Sequence, residues 1–272
     1  MNLPVRVRAP ATTANLGPGF DCAAVAFDLW NEVVVREGGE PDAEHLGVRA
    51  FALLADPGGL DFEFTERIPR ARGLGSSASV VALGLVAAAA AGGETAEPER
   101  LLALGEPLEG HADNLAAALA GGACLTWEGR IARLADTLPF APVAVVPESR
   151  VFTADARAAL PDRVPHRAAA FTAARAALLG AALASQDPDL FAAALQDELH
   201  EPYRARHAPA LAAVRGALPA GAVGATLSGS GPAVIVWARP EQVDACAGEL
   251  AQRFPDATVL PLRVSAAGAE AF

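Results

Sequence analysis

Pro69-Arg70-Ala71-Arg72-Gly73-Leu74-Gly75-Ser76-Ser77-Ala78-Ser79 runs straight into the apolar, helix-prone segment Val80 to Ala91. Gly73 and Gly75 carry no Cβ, so the backbone there can take positive φ and come close to a ligand. A helix that starts just after such a turn leaves its first N–H groups without internal partners, at the positive end of the helix dipole. Aimed at one point, those groups make an anion site, most often for phosphate. Ser76 and Ser77 add hydroxyls that can cap the helix, bind a phosphate oxygen or ligate magnesium. No lysine follows the glycines, so this is not a Walker loop. Gly-Leu-Gly leads into Ser-Ser-Ala and not to a third glycine, so it is not a dinucleotide fingerprint either.

The composition is that of a soluble enzyme. A chain of 272 residues can bury a good core and has room for one large or two modest domains. Twenty-one basic residues stand against 32 acidic ones, a net charge of −11, with no basic run. That balance argues against nucleic acid or an anionic membrane as partner. Every basic residue is arginine, so any side-chain cation that touches phosphate is a guanidinium, and no lysine can act as a base. Cys22, Cys124 and Cys246 are odd in number and far apart, which predicts reduced thiols and a cytoplasmic location. Met1 to Pro10 holds no apolar core of a signal peptide, and Val80 to Ala91 falls short of the roughly 20 residues a membrane span needs.

Along the chain, strands are predicted at Val5–Ala9, at Glu32–Val35, at Ala123–Trp127 and at Ala141–Val146. Two more are predicted on either side of the glycine turn Ser228–Pro232, and a last one at Thr258–Arg263. Helical spacing marks His45–Ala55, Pro98–Leu104, Asn114–Ala120, Ala154–Leu160, Arg167–Ser185, Leu190–Leu199 and Gln242–Arg253. Without a regular βαβ period the pattern favours an α+β sandwich over a doubly wound sheet. Pro147 marks the start of a second domain, dividing the chain into 1–146 and 147–272.

Four further constellations carry polar chemistry. Thr12 to Asp21 reads as a glycine-loosened loop presenting the amide of Asn15 and the carboxylate of Asp21. Gly110-His111-Ala112-Asp113-Asn114 sets three polar groups at the mouth of an apolar helix. Thr153-Ala154-Asp155-Ala156-Arg157 and Glu201-Pro202-Tyr203-Arg204 each hold an arginine, whose fork suits a carboxylate. Gly224 to Pro232 is a glycine-rich turn between strands, with Gly229 at its centre.

Pro-x-x-x-Gly-Leu-Gly-Ser-Ser-Ala resembles the ATP-phosphate loop of the GHMP small-molecule kinases. With the other four blocks, in order from residue 5 to 237, the chain resembles the homoserine kinases of that family. The resemblance implies a two-domain α+β fold, an N-terminal domain with a left-handed βαβ unit and a ferredoxin-like C-terminal domain. It implies ATP and Mg²⁺, with ATP held by residues Pro69 to Ser79. Ser77 and Glu106 would hold the metal, and Asn114 would lie near the transferring phosphoryl group. The amino-acid substrate would be held by Asn15, Asp21, His111, Asp113, Thr153, Arg157, Arg204 and Gly229. It implies a small-molecule partner, L-homoserine, and a possible homodimer. In two places the chain departs from the pattern. His45 stands where many relatives have asparagine near adenine, and the segment from Glu106 to His111 is short, which makes Glu109 a rival for the metal. A mevalonate- or sugar-type GHMP kinase, or a non-catalytic protein of the same fold, are the alternatives.

Overall fold

The structure, a computed structural model, describes residues 1–272. Ten strands, β1 (Val5–Asn15), β2 (Gly19–Glu37), β3 (Leu60–Thr65), β4 (Ala123–Trp127), β5 (Arg130–Ala135), β6 (Ala141–Pro147), β7 (Ala222–Leu227), β8 (Val234–Ala238), β9 (Ala257–Pro261) and β10 (Glu270–Ala271), form two sheets. The first runs β10-β1-β2-β4-β5, with β3 also paired to β2; the second runs β7-β8-β6-β9. Every pairing is antiparallel. The mixed α+β class follows, since a doubly wound sheet would be parallel.

Ten helices complete the chain: α1 (Leu46–Phe51), α2 (Ser76–Gly92), α3 (Pro98–Glu109), α4 (Asp113–Ala120), α5 (Thr153–Ala158), α6 (His166–Ser185), α7 (Pro188–Ala194), α8 (Glu201–Arg204), α9 (Pro209–Gly216) and α10 (Val243–Arg253). Helix α2 is apolar on every side because it is buried on every side, from Ala78 through Ala89. Around it Val7, Val33, Val35 and Phe51 join Leu101, Leu102 and Leu115 in the core of the first unit. Phe27, Phe191, Leu195 and Trp237 fill the seam between the two sheets, and Val143, Val214, Leu227 and Leu250 build the core of the second.

The chain crosses from one sheet to the other between β5 and β6. Strand β6 pairs with β8 and β9, so a division at Pro147 cuts off a central strand that belongs to the second sheet. The segment from Thr12 to Asp21, expected as a loop, is mostly strand. It narrows to a tight hairpin because β1 and β2 continue their pairing to Asn15 and Gly19. Strands β3 and β5 had no counterpart in the sequence reading; Asp61 and Glu63, and Arg130 and Arg133, interrupt their apolar residues with charge.

Candidate active site

Helix α2 begins at Ser76, directly after Gly75, which is its N-cap in the left-handed region (φ +65°) with no side-chain cap. Its first-turn N–H groups are therefore left for a ligand. A Cβ on Gly75 would overlap Thr12 Oγ1, and one on Gly73 (φ +83°) would overlap the Ser228 carbonyl oxygen. Glycine is required at both by conformation and by contact. The loop is held from three sides. Asn31 Oδ1 accepts from the N–H groups of Arg67 and Ile68 (2.8 and 3.0 Å), and Ser228 Oγ donates to the Gly73 carbonyl (2.6 Å). Arg72 donates to the carbonyls of Pro147 (2.9 Å) and Glu148 (2.6 Å).

One cavity joins the loop to all four polar constellations. It is lined by Ala71, Gly73, Gly75, Ser76 and Ser77 on one side. Asn15, Asp21, His111, Asp113, Asn114, Thr153, Arg157, Arg204 and Gly229 line the other. The sequence-predicted site residues therefore converge, with defined exceptions. Leu74, Ala78 and Ser79 are buried behind the loop, where Ser79 Oγ donates to the Ala9 carbonyl, so they shape it without facing the cavity. Arg70 and Arg72 spend their guanidiniums on Glu66 and on backbone carbonyls. Arg70 instead lines a neighbouring cavity of about 370 Å³ with Glu44, His45 and Val80, continuous with Ala71, Ser76 and Ser77. Pro69, the first residue of the quoted stretch, lines neither cavity.

Glu106 does not reach the loop. Glu109 does, and accepts a hydrogen bond from Ser77 Oγ at 2.6 Å. Glu106 lines an adjoining cavity with Trp127 and Glu128, which meets the first at Asp21, His111 and Arg157 and includes no residue of the phosphate loop. The reason is helical phase: Leu101, Leu102 and Gly105 are the buried residues of α3, and Glu109 lies one turn beyond Gly105 and two beyond Leu101 and Leu102, whereas Glu106 continues only the Leu102 edge of that face. That spacing was a signal in the sequence, and it favours the rival carboxylate. Burial pushes the Glu109 carboxyl up to about 7, against the opposing effect of the Ser77 hydrogen bond.

The substrate side is strongly polar. Asn15 and Asp21 both hold positive φ (73° and 57°), and the Asp21 N–H donates to Asn15 Oδ1 at 3.0 Å. Strained backbone of this kind concentrates at functional sites. Asn15 Nδ2 donates to the Gly229 carbonyl (3.0 Å), tying the first hairpin to the glycine turn of the second sheet. Arg157 grips Asp21 with both terminal nitrogens, at 3.0 and 2.6 Å. Arg204 is 2% exposed, and burial lowers its pKa. Burial raises the Asp113 carboxyl to about 6 and, with Arg157 nearby, lowers the His111 imidazole. The Nδ1 atom of His111 is buried without a partner. Asn114 Oδ1 accepts from Thr12 Oγ1 at 2.7 Å, which aims its amide along the cavity.

Sequence alone assigns no role to Thr12, Phe20, Ser228 or His200, and offers Glu109 only as the rival of Glu106. Thr12 and Ser228 sat inside quoted blocks, but which of their neighbours they fasten depends on two sheets meeting. A cavity lined by anion-binding amides, two guanidiniums and carboxylates can hold a polyphosphate at one end and a zwitterion at the other.

Family models described as GHMP kinases N terminal domain and GHMP kinases C terminal match residues 44–122 and 179–256. The homoserine kinase of Streptomyces coelicolor is 42% identical, with 95% of each chain covered. The homoserine kinase of a Synechococcus species is 40% identical, covering 89% of this chain and 88% of that one. Among solved structures, the homoserine kinase from Cytophaga hutchinsonii superposes with a TM-score of 0.86 at 29% identity, over 100% of this chain and 98% of that one.

Proposed function

The chain belongs to the GHMP kinase family, and on that premise we propose that it transfers the γ-phosphoryl group of ATP to the side-chain hydroxyl of L-homoserine, yielding O-phospho-L-homoserine for threonine biosynthesis. The observation that carries this reading is the convergence of Arg157, Arg204 and Asp21 on the cavity that also holds the phosphate loop. A mevalonate or a sugar offers no α-ammonium to Asp21, and a sugar offers no carboxylate to the arginines.

Phosphoryl transfer depends on in-line positioning and charge neutralisation more than on covalent help. The amides from Gly73 to Ser77 cradle the phosphates of ATP, and the dipole of α2 stabilises their charge. Ser77 Oγ and Glu109 fit a magnesium site. No cluster of three or more His, Cys, Asp or Glu exists, and Mg²⁺ characteristically takes one or two carboxylates with phosphate and water making up the rest. The metal, when bound, neutralises phosphate charge and fixes phosphate geometry.

On the substrate side, the Arg157–Asp21 pair is complementary to an amino acid. The α-carboxylate takes Nη2 of Arg204, the nitrogen its other contacts leave free, together with the Arg157 guanidinium in exchange for Asp21, and the α-ammonium takes Asp21 together with Asn15. His111, whose imidazole burial holds below its ordinary pKa, and Asp113 place the hydroxyl, with Thr153 and the Gly229 turn closing the cavity around it. Asn114, aimed by Thr12, lies beside the transferring group. The chain has no lysine, so no aspartate–lysine pair can take the hydroxyl proton. That proton passes to the γ-phosphate oxygens. The cytoplasmic location belongs to the same reading, and three free cysteines support it.

Arg157→Lys and Arg204→Lys test the assignment, because an ammonium cannot reproduce a planar fork. Each is expected to raise KM for L-homoserine by about one to two decades. KM for ATP should stay near its original value. An unchanged homoserine KM in both variants, or a loss confined to ATP, would refute it.

A further inference from the structure

Arg204 reaches the cavity from a fully enclosed position. Its Nη1 donates to the Gly229 carbonyl at 3.3 Å and meets His200 Nδ1 at 3.2 Å, while Nε donates to the Ala156 carbonyl at 3.4 Å. Nη2 takes part in none of these bonds. The imidazole of His200 is itself completely buried. Its Nε2 lies 2.8 Å from the Gly17 carbonyl, which can only accept, so Nε2 carries the hydrogen. Nδ1 is then the lone pair that receives Nη1 of Arg204. Asp197 fixes this ring from below by accepting the N–H groups of Leu199, His200 and Glu201 at 2.7–2.9 Å.

Phe20 forms a second layer. Its ring stacks on His200 with centroids 4.9 Å apart. The Arg204 guanidinium carbon lies 5.1 Å from the centroid of the same ring, and that of Arg157 lies 5.7 Å from it. A π face at these distances attracts a guanidinium and orients its plane. One aromatic ring therefore borders both arginines and the histidine that anchors one of them.

We propose that His200 and Phe20 are positioning residues which set the plane of Arg204 and of Arg157, so that recognition of the substrate's carboxylate depends on a neutral imidazole and an aromatic face that do not touch the substrate. The proposal rests on the reading of Arg204 as a carboxylate ligand. Burial presses the His200 pKa down to about 4, so the ring keeps its accepting lone pair throughout the neutral range. Were Nδ1 protonated, it would set an N–H against the guanidinium N–H, and the bond to Arg204 would be lost.

Three variants, measured with L-homoserine and with L-homoserinol (the carboxylate replaced by a hydroxymethyl group), test this. His200→Gln keeps a group in reach of the Gly17 carbonyl and loses the acceptor at Nδ1. His200→Asn keeps an acceptor close to Nδ1. Phe20→Leu keeps an apolar body and loses the π face. His200→Gln is expected to raise KM for L-homoserine about tenfold or more, the loss of a hydrogen bond to a charged group. KM for ATP should hold. His200→Asn should recover most of the loss, and Phe20→Leu should raise KM for L-homoserine several-fold. None of the three should alter KM for L-homoserinol, which has no carboxylate for the arginines to bind. Equal losses on both substrates, a parallel rise in KM for ATP, or a fall in melting temperature with unchanged KM values would overturn the positioning role. If Arg204→Lys is itself harmless to L-homoserine, the carboxylate assignment beneath the proposal fails. If Arg204→Lys is damaging and both His200→Gln and Phe20→Leu are harmless, only the proposal fails.

Discussion

Gly75→Ala is the change whose cost can be worked most closely from the structure. Gly75 sits at φ +65°, and holding alanine in the left-handed region costs about 1–2 kcal/mol. Its new Cβ would overlap Thr12 Oγ1 and lie 3.1 Å from Thr12 Cβ and 3.2 Å from Asn114 Oδ1. Relief requires Thr12 to turn, which breaks its 2.7 Å hydrogen bond to Asn114. That loss adds about 1–3 kcal/mol. Gly59→Ala is the matched control, because Gly59 has φ +74° and nothing within 4 Å of the same built Cβ. Both substitutions share the backbone cost and the loss of unfolded-state freedom, so their difference isolates the contact. Thermal melting should place Gly75→Ala below Gly59→Ala by roughly 2–10 °C. Steady-state kinetics should show kcat lowered and KM for ATP raised in Gly75→Ala alone. Adding Thr12→Ala to Gly75→Ala should cost less than the sum of the two single changes, because the overlapping oxygen is gone. Equal melting temperatures for the two glycine variants, with unchanged kinetics in both, would refute the reasoning.

Glu109→Gln should lower kcat on the order of 10²-fold or more at fixed magnesium, because it removes a metal charge beside the phosphates. Glu106→Gln should be mild, and the reverse order would return the metal role to Glu106. Glu201 is buried, accepts the Leu227 N–H at 2.9 Å, pairs with Arg215 at 2.7 Å and has its carboxyl pushed up to about 7 by burial. A folded-state pKa raised above 4.5 means the native state holds that proton more tightly, so this group's contribution to stability falls as pH rises from about 4.5 to 7. Glu201→Gln should therefore flatten melting temperature against pH across that window, and an unaltered slope would contradict the assignment.

The phosphate loop was legible because its signal is local: two glycines, two serines and an apolar helix in one run. The arginines were legible as residue types within blocks, but their convergence was not. Arg157 lies on α5, Arg204 on α8 and Gly229 in the turn between β7 and β8, and only the packing of the two sheets brings them to one cavity. Motif spacing points to Glu106 with Glu109 as its rival, and helical phase decides for Glu109. Leu101 and Gly105 already marked the inward face. His200 lies in the charged run Asp197-Glu198-Leu199-His200-Glu201, which reads as a surface segment and carries no local sign that the histidine is buried. Its meaning comes from contacts at positions 17 and 20, nearly 200 residues away along the chain. The strand character of Thr12 to Asn15 was hidden by residues that also favour turns, and pairing with β2 overrides that preference.

The central claim is tested most directly by following phosphate onto the acceptor. The purified protein, supplied with ATP and Mg²⁺, should release ADP only when L-homoserine is added. ³¹P NMR of the product should show a phosphomonoester coupled to the side-chain methylene of homoserine. Mevalonate and galactose should give no turnover above the rate without acceptor. Turnover with mevalonate or galactose and none with L-homoserine would contradict the substrate assignment, and ADP release independent of all three would contradict the kinase itself.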